Sequence, residues 1–366
     1  MELSASKEYL LSAISIAERM TGKKESLPVL SCILLEAENK VLSVRSTNLE
    51  AGVDVRVPAS ITTNGTIAVP TSVLRETIRS MSGDTIKLNE HDGNLSIESK
   101  TSKNLIKAFP YEEFPTLPAG KEKKGFLLAR EPFLEALSSV LYAASPSMIR
   151  PELGSVYVTI EQGSVTAVAT DSFRLAEKKL TGATKKESGE LLIPLKHAQE
   201  LIFILDHIQA PEVLVDVEET QLIVSSDTIR FISRVVDATF PNYKEIIPKN
   251  PATDVTLLKS DLTELLRKAR IFSGTEQHIS FHVYPTRKIF SVTARSSEVG
   301  EMSDTVDAAL SGEDIDINFH IGYLADCLPT IKSDSLVLSF AGIGRPLVVR
   351  GTADSTFMYL VMPLNR

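Results

Sequence analysis

The chain has 366 residues, 43% hydrophobic and 23% charged, which exceeds one ordinary core and points to two or three domains of roughly 100–200 residues each. Apolar runs such as Leu201–Leu205 fall far short of the roughly 20 residues of a membrane helix, and Cys32 and Cys327 offer neither a disulfide framework nor a clustered thiolate metal site. The formal charge of −8 excludes a uniformly basic coat for nucleic acid, and division at 118 and 253 gives thirds with 13, 15 and 11 Lys+Arg against 15, 18 and 14 Asp+Glu, so any positive surface must be local.

From the N-terminus, residues 3–20 begin with alternation and pass into a helix in which Tyr9, Leu10, Ala13 and Ile14 recur three or four apart. Residues 29–57 read as alternating strands broken by a hairpin loop at Glu38-Asn39-Lys40. A second strand–helix unit follows at 66–81, with Val73, Leu74 and Ile78 on one face, and strands return at 85–99. Leu117–Lys124, rich in Pro, Gly and Lys, reads as a join.

The same order then recurs. Residues 126–144 place a strand before a helix with Phe133, Leu134, Leu137 and Val140 on one face, and Pro132 suits its first turn. Strands at 153–180 turn at Gln162-Gly163-Ser164, a strand–helix unit at 191–205 buries Leu201, Ile204 and Leu205, and strands follow at 212–226. Pro248–Thr253 reads as a second join. The last third repeats the order at 255–272, at 279–306 with a loop at Pro285-Thr286-Arg287, at 317–331 and at 335–351. Pro70, Pro194 and His320 mark equivalent helix starts 124 and 126 residues apart. This spacing predicts three similar α+β domains, each made of two β-α-β-β-β units, over residues 1–118, 125–248 and 253–366.

Catalytic signatures do not emerge. The six histidines form no HExxH, and GxGxxG, GxxxxGK[ST] and GxSxG are missing. Adjacent acids such as Glu112/Glu113 and Glu218/Glu219 point to opposite faces of an extended chain and read as solvated charge. No cofactor or metal is expected. The segment TDSFRL (170–175) reads either as an edge turn or as an apolar groove with a polar clamp, for which Leu360, Met362 and Pro363 of the terminal strand would supply lining.

At LPVLSCILLEAENKVLSVRSTNLEAGVDVRV (27–57), ATDSFRLA (169–176), LLIPLKHAQELIFIL (191–205), RVVDATFPNYKEIIPKN (234–250) and YLVMPLNR (359–366), the sequence resembles the bacterial DNA polymerase III beta subunits, the replicative sliding clamps. The resemblance covers nearly the whole chain. It implies the DNA clamp fold, a head-to-tail homodimeric ring with helices inside and sheets outside, and a non-catalytic processivity role in the cytoplasm at the nucleoid. Its implied partners are duplex DNA without sequence preference, the clamp loader, the polymerase III alpha subunit, and other polymerases and repair proteins.

Carried over by resemblance, the DNA-facing cations are Lys7, Lys23, Lys24, Arg75, Arg79, Arg150, Lys196, Arg267, Lys268 and Arg270. The implied peptide pocket comprises Leu153, Thr170, Ser172, Phe173, Arg174, Leu175, Pro241, Ile246, Tyr323, Gly344, Pro346, Leu360, Met362, Pro363 and Leu364. Ser172-Phe173 stands where relatives can have Gly-His. The subunit joint is assigned to Leu105, Ile106 and Lys107 with Ile271 and Phe272, although the last two could equally finish an internal core. Two other readings stay open: a three-domain peptide scaffold that encloses no DNA, and a hydrolase assembled from Asp171, Arg174 and a distant histidine.

Overall fold

The computed structural model describes residues 1–22, 27–117, 125–161, 163–181, 189–218 and 220–364. Lys23, Lys24 and Gln162, with most of the first predicted join, therefore lie outside the described residues.

The repeat is visible in element order. The first third runs β1 (Glu2–Ser6), α1 (Lys7–Glu18), β2 (Cys32–Glu38), β3 (Val41–Thr47) and β4 (Ala51–Thr63), then β5 (Gly65–Pro70), α2 (Thr71–Ser80), β6 (Thr85–His91), β7 (Asn94–Glu98) and β8 (Lys103–Lys107). The central third runs β9 (Phe126–Ala129), α3 (Arg130–Val140), β10 (Ser155–Glu161), β11 (Ser164–Thr170) and β12 (Arg174–Thr181), then β13 (Gly189–Pro194), α4 (Leu195–His207), β14 (Glu212–Glu218), β15 (Gln221–Ser225) and β16 (Ile229–Arg234). The last third runs β17 (Thr253–Leu258), α5 (Lys259–Phe272), β18 (His278–Tyr284), β19 (Ile289–Ser296) and β20 (Gly300–Thr305), then β21 (Ala309–Gly312), β22 (Ile315–His320), α6 (Ile321–Cys327), β23 (Ser335–Phe340), β24 (Leu347–Gly351) and β25 (Phe357–Val361). Each third thus holds two β-α-β-β-β units, and β21 is an addition in the last. The short segment AALSG carries no two-residue apolar alternation, which is why sequence patterning passes over it.

By contacts the chain forms two compact units, Met1–Glu131 with Gln199–Val235, and Pro132–Ala198 with Val236–Arg366. In the first unit β4 pairs with β16, in register from Val55↔Ile229 to Ala51↔Ser233. In the second, β12 pairs with β25 from Arg174↔Val361 to Lys178↔Phe357. These are equivalent junctions in the repeat: the fifth strand-or-helix element of one third meets the last strand of the next. The equivalent strands left over are β8 and β20, and each ends its sheet unpaired on one side among the described residues.

A second feature recurs three times. The first residue of each leading helix is basic and is tied to the chain beyond the second helix of its third. Backbone N–H groups of Lys7, Arg130 and Lys259 donate to the carbonyls of Asp84 (2.9 Å), Pro211 (2.8 Å) and Asp334 (2.8 Å). Their side chains donate to carbonyls at or near the end of the second helix: Lys7 to Arg79 (3.2 Å) and Met81, Arg130 to Leu205 (3.0 Å), and Lys259 to Ile331 (2.6 Å). Helix C-termini leave carbonyls without intrahelical donors and carry partial negative charge, so a cation there satisfies both needs.

The helices bury the predicted faces. Leu10, Ala13 and Ile14 of α1, Leu74 and Ile78 of α2, and Leu262, Leu265, Leu266 and Ala269 of α5 are all buried. Tyr9 and Val73 are exceptions, at 57% and 48% exposure, because each lies at the margin of its apolar stripe.

Candidate peptide pocket and basic helix faces

Four separate chain segments converge on one cavity of about 200 Å³ in the second unit. Leu153 comes from the loop before β10, and Thr170, Ser172, Arg174 and Leu175 come from the turn between β11 and β12. Pro241, Asn242, Tyr243 and Ile246 come from a 3₁₀ turn and its approach, and Leu360 and Met362 from the end of β25. Its floor is core: Val168, Leu175, Leu192, Phe240, Tyr243, Val348, Met358 and Leu360 form one buried cluster. Tyr157 stacks on Phe240 with ring centroids 4.6 Å apart, and Tyr243 donates to Glu177 at 2.6 Å. Burial and that carboxylate raise the Tyr243 phenol, so it stays a neutral donor. A floor fixed by packing presents a shaped apolar depression without prior ordering.

The TDSFRL turn is held by its own side chains. Asp171 accepts from the backbone N–H groups of Phe173 (2.9 Å) and Arg174 (3.0 Å), while Thr170 donates its hydroxyl to the Arg174 carbonyl at 2.6 Å. Arg174 donates to Asp171 at 2.9 Å and to Asp326 at 2.5 Å, and its guanidinium lies 4.6 Å from the centre of the Tyr323 ring. Burial opposes its charge, but the Asp326 hydrogen bond, Tyr359 and Asp171 outweigh that effect and hold it more firmly protonated. Arg174 therefore supports the wall, with both carboxylate partners already in place.

Ser172 adopts φ +79°, the left-handed region in which a Cβ is strained. Replacing Ser172 with glycine is expected to raise stability by about 0.5–1 kcal/mol, the relieved strain less the added freedom of an unfolded glycine. A denaturant midpoint lower than that of the parent chain would contradict this reading.

Nine of the fifteen predicted pocket residues line the cavity: Leu153, Thr170, Ser172, Arg174, Leu175, Pro241, Ile246, Leu360 and Met362. Phe173 is 60% exposed and projects from the turn, with its carbonyl accepting from Met362 N–H at 2.8 Å. Tyr323 packs against Arg174 behind the wall; Gly344, Pro346, Pro363 and Leu364 are not in the lining. Asn242, Tyr243 and Arg150 line it without having been predicted there. Pro-Asn-Tyr after Phe240 was the available signal, since a Pro-Asn pair marks a turn that can carry an aromatic back to a core.

Among the predicted cations, Arg150 belongs to the loop before β10, pairs with Glu152 at 3.0 Å and lines this cavity. Lys7 is tied to the α2 terminus. Arg75 pairs with Glu18 and with Glu76 (2.9 Å), and Lys268 with Glu264 and Asp304, each at 3.1 Å. Arg79, Lys196, Arg267 and Arg270 are exposed and have no ion pair among the described residues. They are the predicted cations most available to a phosphate.

At the predicted joint, β8 exposes Leu105 at 58% and Lys107, while Ile106 is buried. Ile271, at the end of α5, is 62% exposed and Phe272 half-buried. The two unpaired edges carry opposite charge: Lys103 and Lys107 lie on β8, and Glu301 and Asp304 on β20.

Comparison with known proteins agrees with this architecture along the whole chain. Families described as the DNA polymerase III beta subunit match with the N-terminal domain over residues 1–118, the central domain over 128–242 and the C-terminal domain over 244–365. The beta sliding clamp of Streptococcus pneumoniae strain R6 is 25% identical, covering 100% of this chain and 99% of that protein. The Bacillus subtilis beta sliding clamp is 24% identical with 100% of both covered. The crystal structure of the B. subtilis DNA polymerase sliding clamp superposes with a TM-score of 0.95 at 22% identity, covering 100% of this chain and 99% of that one. That of the Thermotoga maritima DNA polymerase III beta subunit gives 0.93 at 24% identity with the same coverage.

Proposed function

Since the chain belongs to the DNA polymerase III beta subunit family, the sliding clamps, we propose that two copies close head to tail into a ring around duplex DNA and hold a replicative polymerase there. The observation that carries this reading is the unfinished repeat. Two equivalent strand junctions, β4 with β16 and β12 with β25, are made inside the chain. The third set of partners, β8 and β20, is left open among the described residues. Pairing β8 of one copy with β20 of another satisfies both edges, and twofold closure repeats the junction without leaving an open filament. Lys103 and Lys107 against Glu301 and Asp304 favour that pairing, and Leu105 and Ile271 supply apolar surface.

In this reading the domains span residues 1–118, 125–248 and 253–366, and their helix pairs face DNA. Arg79, Lys196, Arg267 and Arg270 attract phosphates without reading bases, which lets an acidic protein remain on DNA and slide. The role is topological and non-catalytic: an enclosed duplex keeps a tethered polymerase at high local concentration. The clamp loader, the polymerase III alpha subunit and repair polymerases are the proposed users of the apolar pocket, in the cytoplasm at the nucleoid.

Ile246, at the pocket rim and 49% exposed, separates pocket function from folding. Ile246→Glu is expected to weaken a polymerase-derived apolar peptide about tenfold, the effect of losing one buried aliphatic contact, while leaving the dimer intact. Unchanged affinity by fluorescence anisotropy would contradict a peptide role for this cavity.

A further inference from the structure

A second cavity, of about 370 Å³, runs between α5 and α6. Leu266 of α5, Ile321 and Ala325 of α6, and Leu328 just beyond it form its apolar surface, with Gly322 completing the lining. Its charged lining is entirely cationic: Lys259, Arg267 and Arg270, with no carboxylate. Lys259 already donates to the Ile331 carbonyl, but Arg267 and Arg270 are exposed and have no ion pair among the described residues. Three residues apart on one helix, these two guanidiniums are neighbours. The cavity is distinct from the peptide pocket. Between those groove residues, α6 supplies Tyr323 and Asp326, which engage Arg174.

We propose that the α5–α6 groove is a binding site for a small amphipathic anion, with its hydrocarbon or aromatic body between the helices and its carboxylate or sulfonate on Arg267 and Arg270. The volume lies at the lower end of ordinary small-molecule sites, roughly 300–1,000 Å³. Charge complementarity selects the anion: an amphipathic cation would meet two uncompensated guanidiniums, and a purely polar anion would leave the apolar walls without a partner.

The test uses the full-length protein and anilinonaphthalene sulfonate, an aromatic body carrying one anionic group, with its fluorescence as the readout. One molecule per chain is expected to bind, and decanoate but not decanamide should displace it. Exchanging both arginines (Arg267→Gln with Arg270→Gln) should raise the dissociation constant about tenfold or more, the scale of lost charge-assisted hydrogen bonds. Ala325→Trp should abolish binding by filling the groove, and Met362→Trp, which fills the peptide pocket instead, should leave it unchanged. Absence of binding, equal displacement by decanamide, indifference to the double arginine exchange, or loss only in Met362→Trp would overturn the proposal. The arginine exchange alters exposed residues, so its outcome stands even if Ala325→Trp fails to fold.

Discussion

Lys178→Met is expected to cost about 3–5 kcal/mol of folding stability, the scale for breaking a buried ion network by removing one partner. Lys178 lies on β12 with only 6% of its side chain exposed, 2.9 Å from Glu135 of α3 and 3.2 Å from Asp354 in the turn before β25. Glu135 also meets Lys332 at 2.6 Å. Methionine fills much the same volume but removes the shared cation, leaving Glu135 with Lys332 alone and Asp354 with only the Thr356 donors. Burial pushes the Glu135 carboxyl up, yet hydrogen bonds from Lys332 and Lys178 outweigh it and the net shift is downward. Asp354 is also lowered: burial is outweighed by the Thr356 hydroxyl and N–H and by Lys178. Carboxyls depressed in the folded state contribute stability above their unfolded values, near pH 4, and that contribution is lost as pH falls through the lower folded values. Urea midpoints at neutral and acid pH should therefore show a large loss at pH 7 and a shallower further decline in the variant than in the parent. Equal midpoints at pH 7, or parallel acid profiles, would contradict the network's role.

The second large effect concerns assembly. Leu105→Glu introduces a carboxylate on an exposed edge-strand position between Lys103 and Lys107, so the monomer should fold normally. At a closed joint the same carboxylate must be buried, which is expected to cost about 2–4 kcal/mol of association, or roughly 30- to 1,000-fold in the dimer dissociation constant. Sedimentation equilibrium should show monomers at concentrations where the parent chain is dimeric. A variant as dimeric as the parent would remove β8 from the joint and leave Leu105 as an ordinary exposed side chain.

Much of the architecture was legible in the sequence because burial imposes periods. The strand–helix unit predicted at 66–81 is observed as Gly65–Pro70 and Thr71–Ser80, and the one at 191–205 as Gly189–Pro194 and Leu195–His207. Asn39 and Lys40 adopt positive φ in the predicted hairpin loop, as a tight turn between β2 and β3 requires. The triple basic clasp was present as Lys7, Arg130 and Lys259, but a lysine written before a helix does not reveal that its target carbonyl is some 70 residues away. The pocket was harder for the same reason. Its walls combine residues from about 150, 172, 243 and 361, which no local pattern of the sequence joins. Arg150 illustrates what charge alone leaves open: its letter does not reveal that it lies in a loop beside Glu152 and lines the cavity. The sign of a side chain is written in the sequence, while its neighbours are set by tertiary structure.

The most direct measurement of the central claim is retention on closed circular DNA. Loaded by a competent clamp loader with ATP, the protein should remain on a nicked circle through gel filtration in high salt and should leave when the circle is linearised, because enclosure and not phosphate attraction holds it. Salt-sensitive release from the intact circle, or equal retention on linear and circular DNA, would contradict a closed ring.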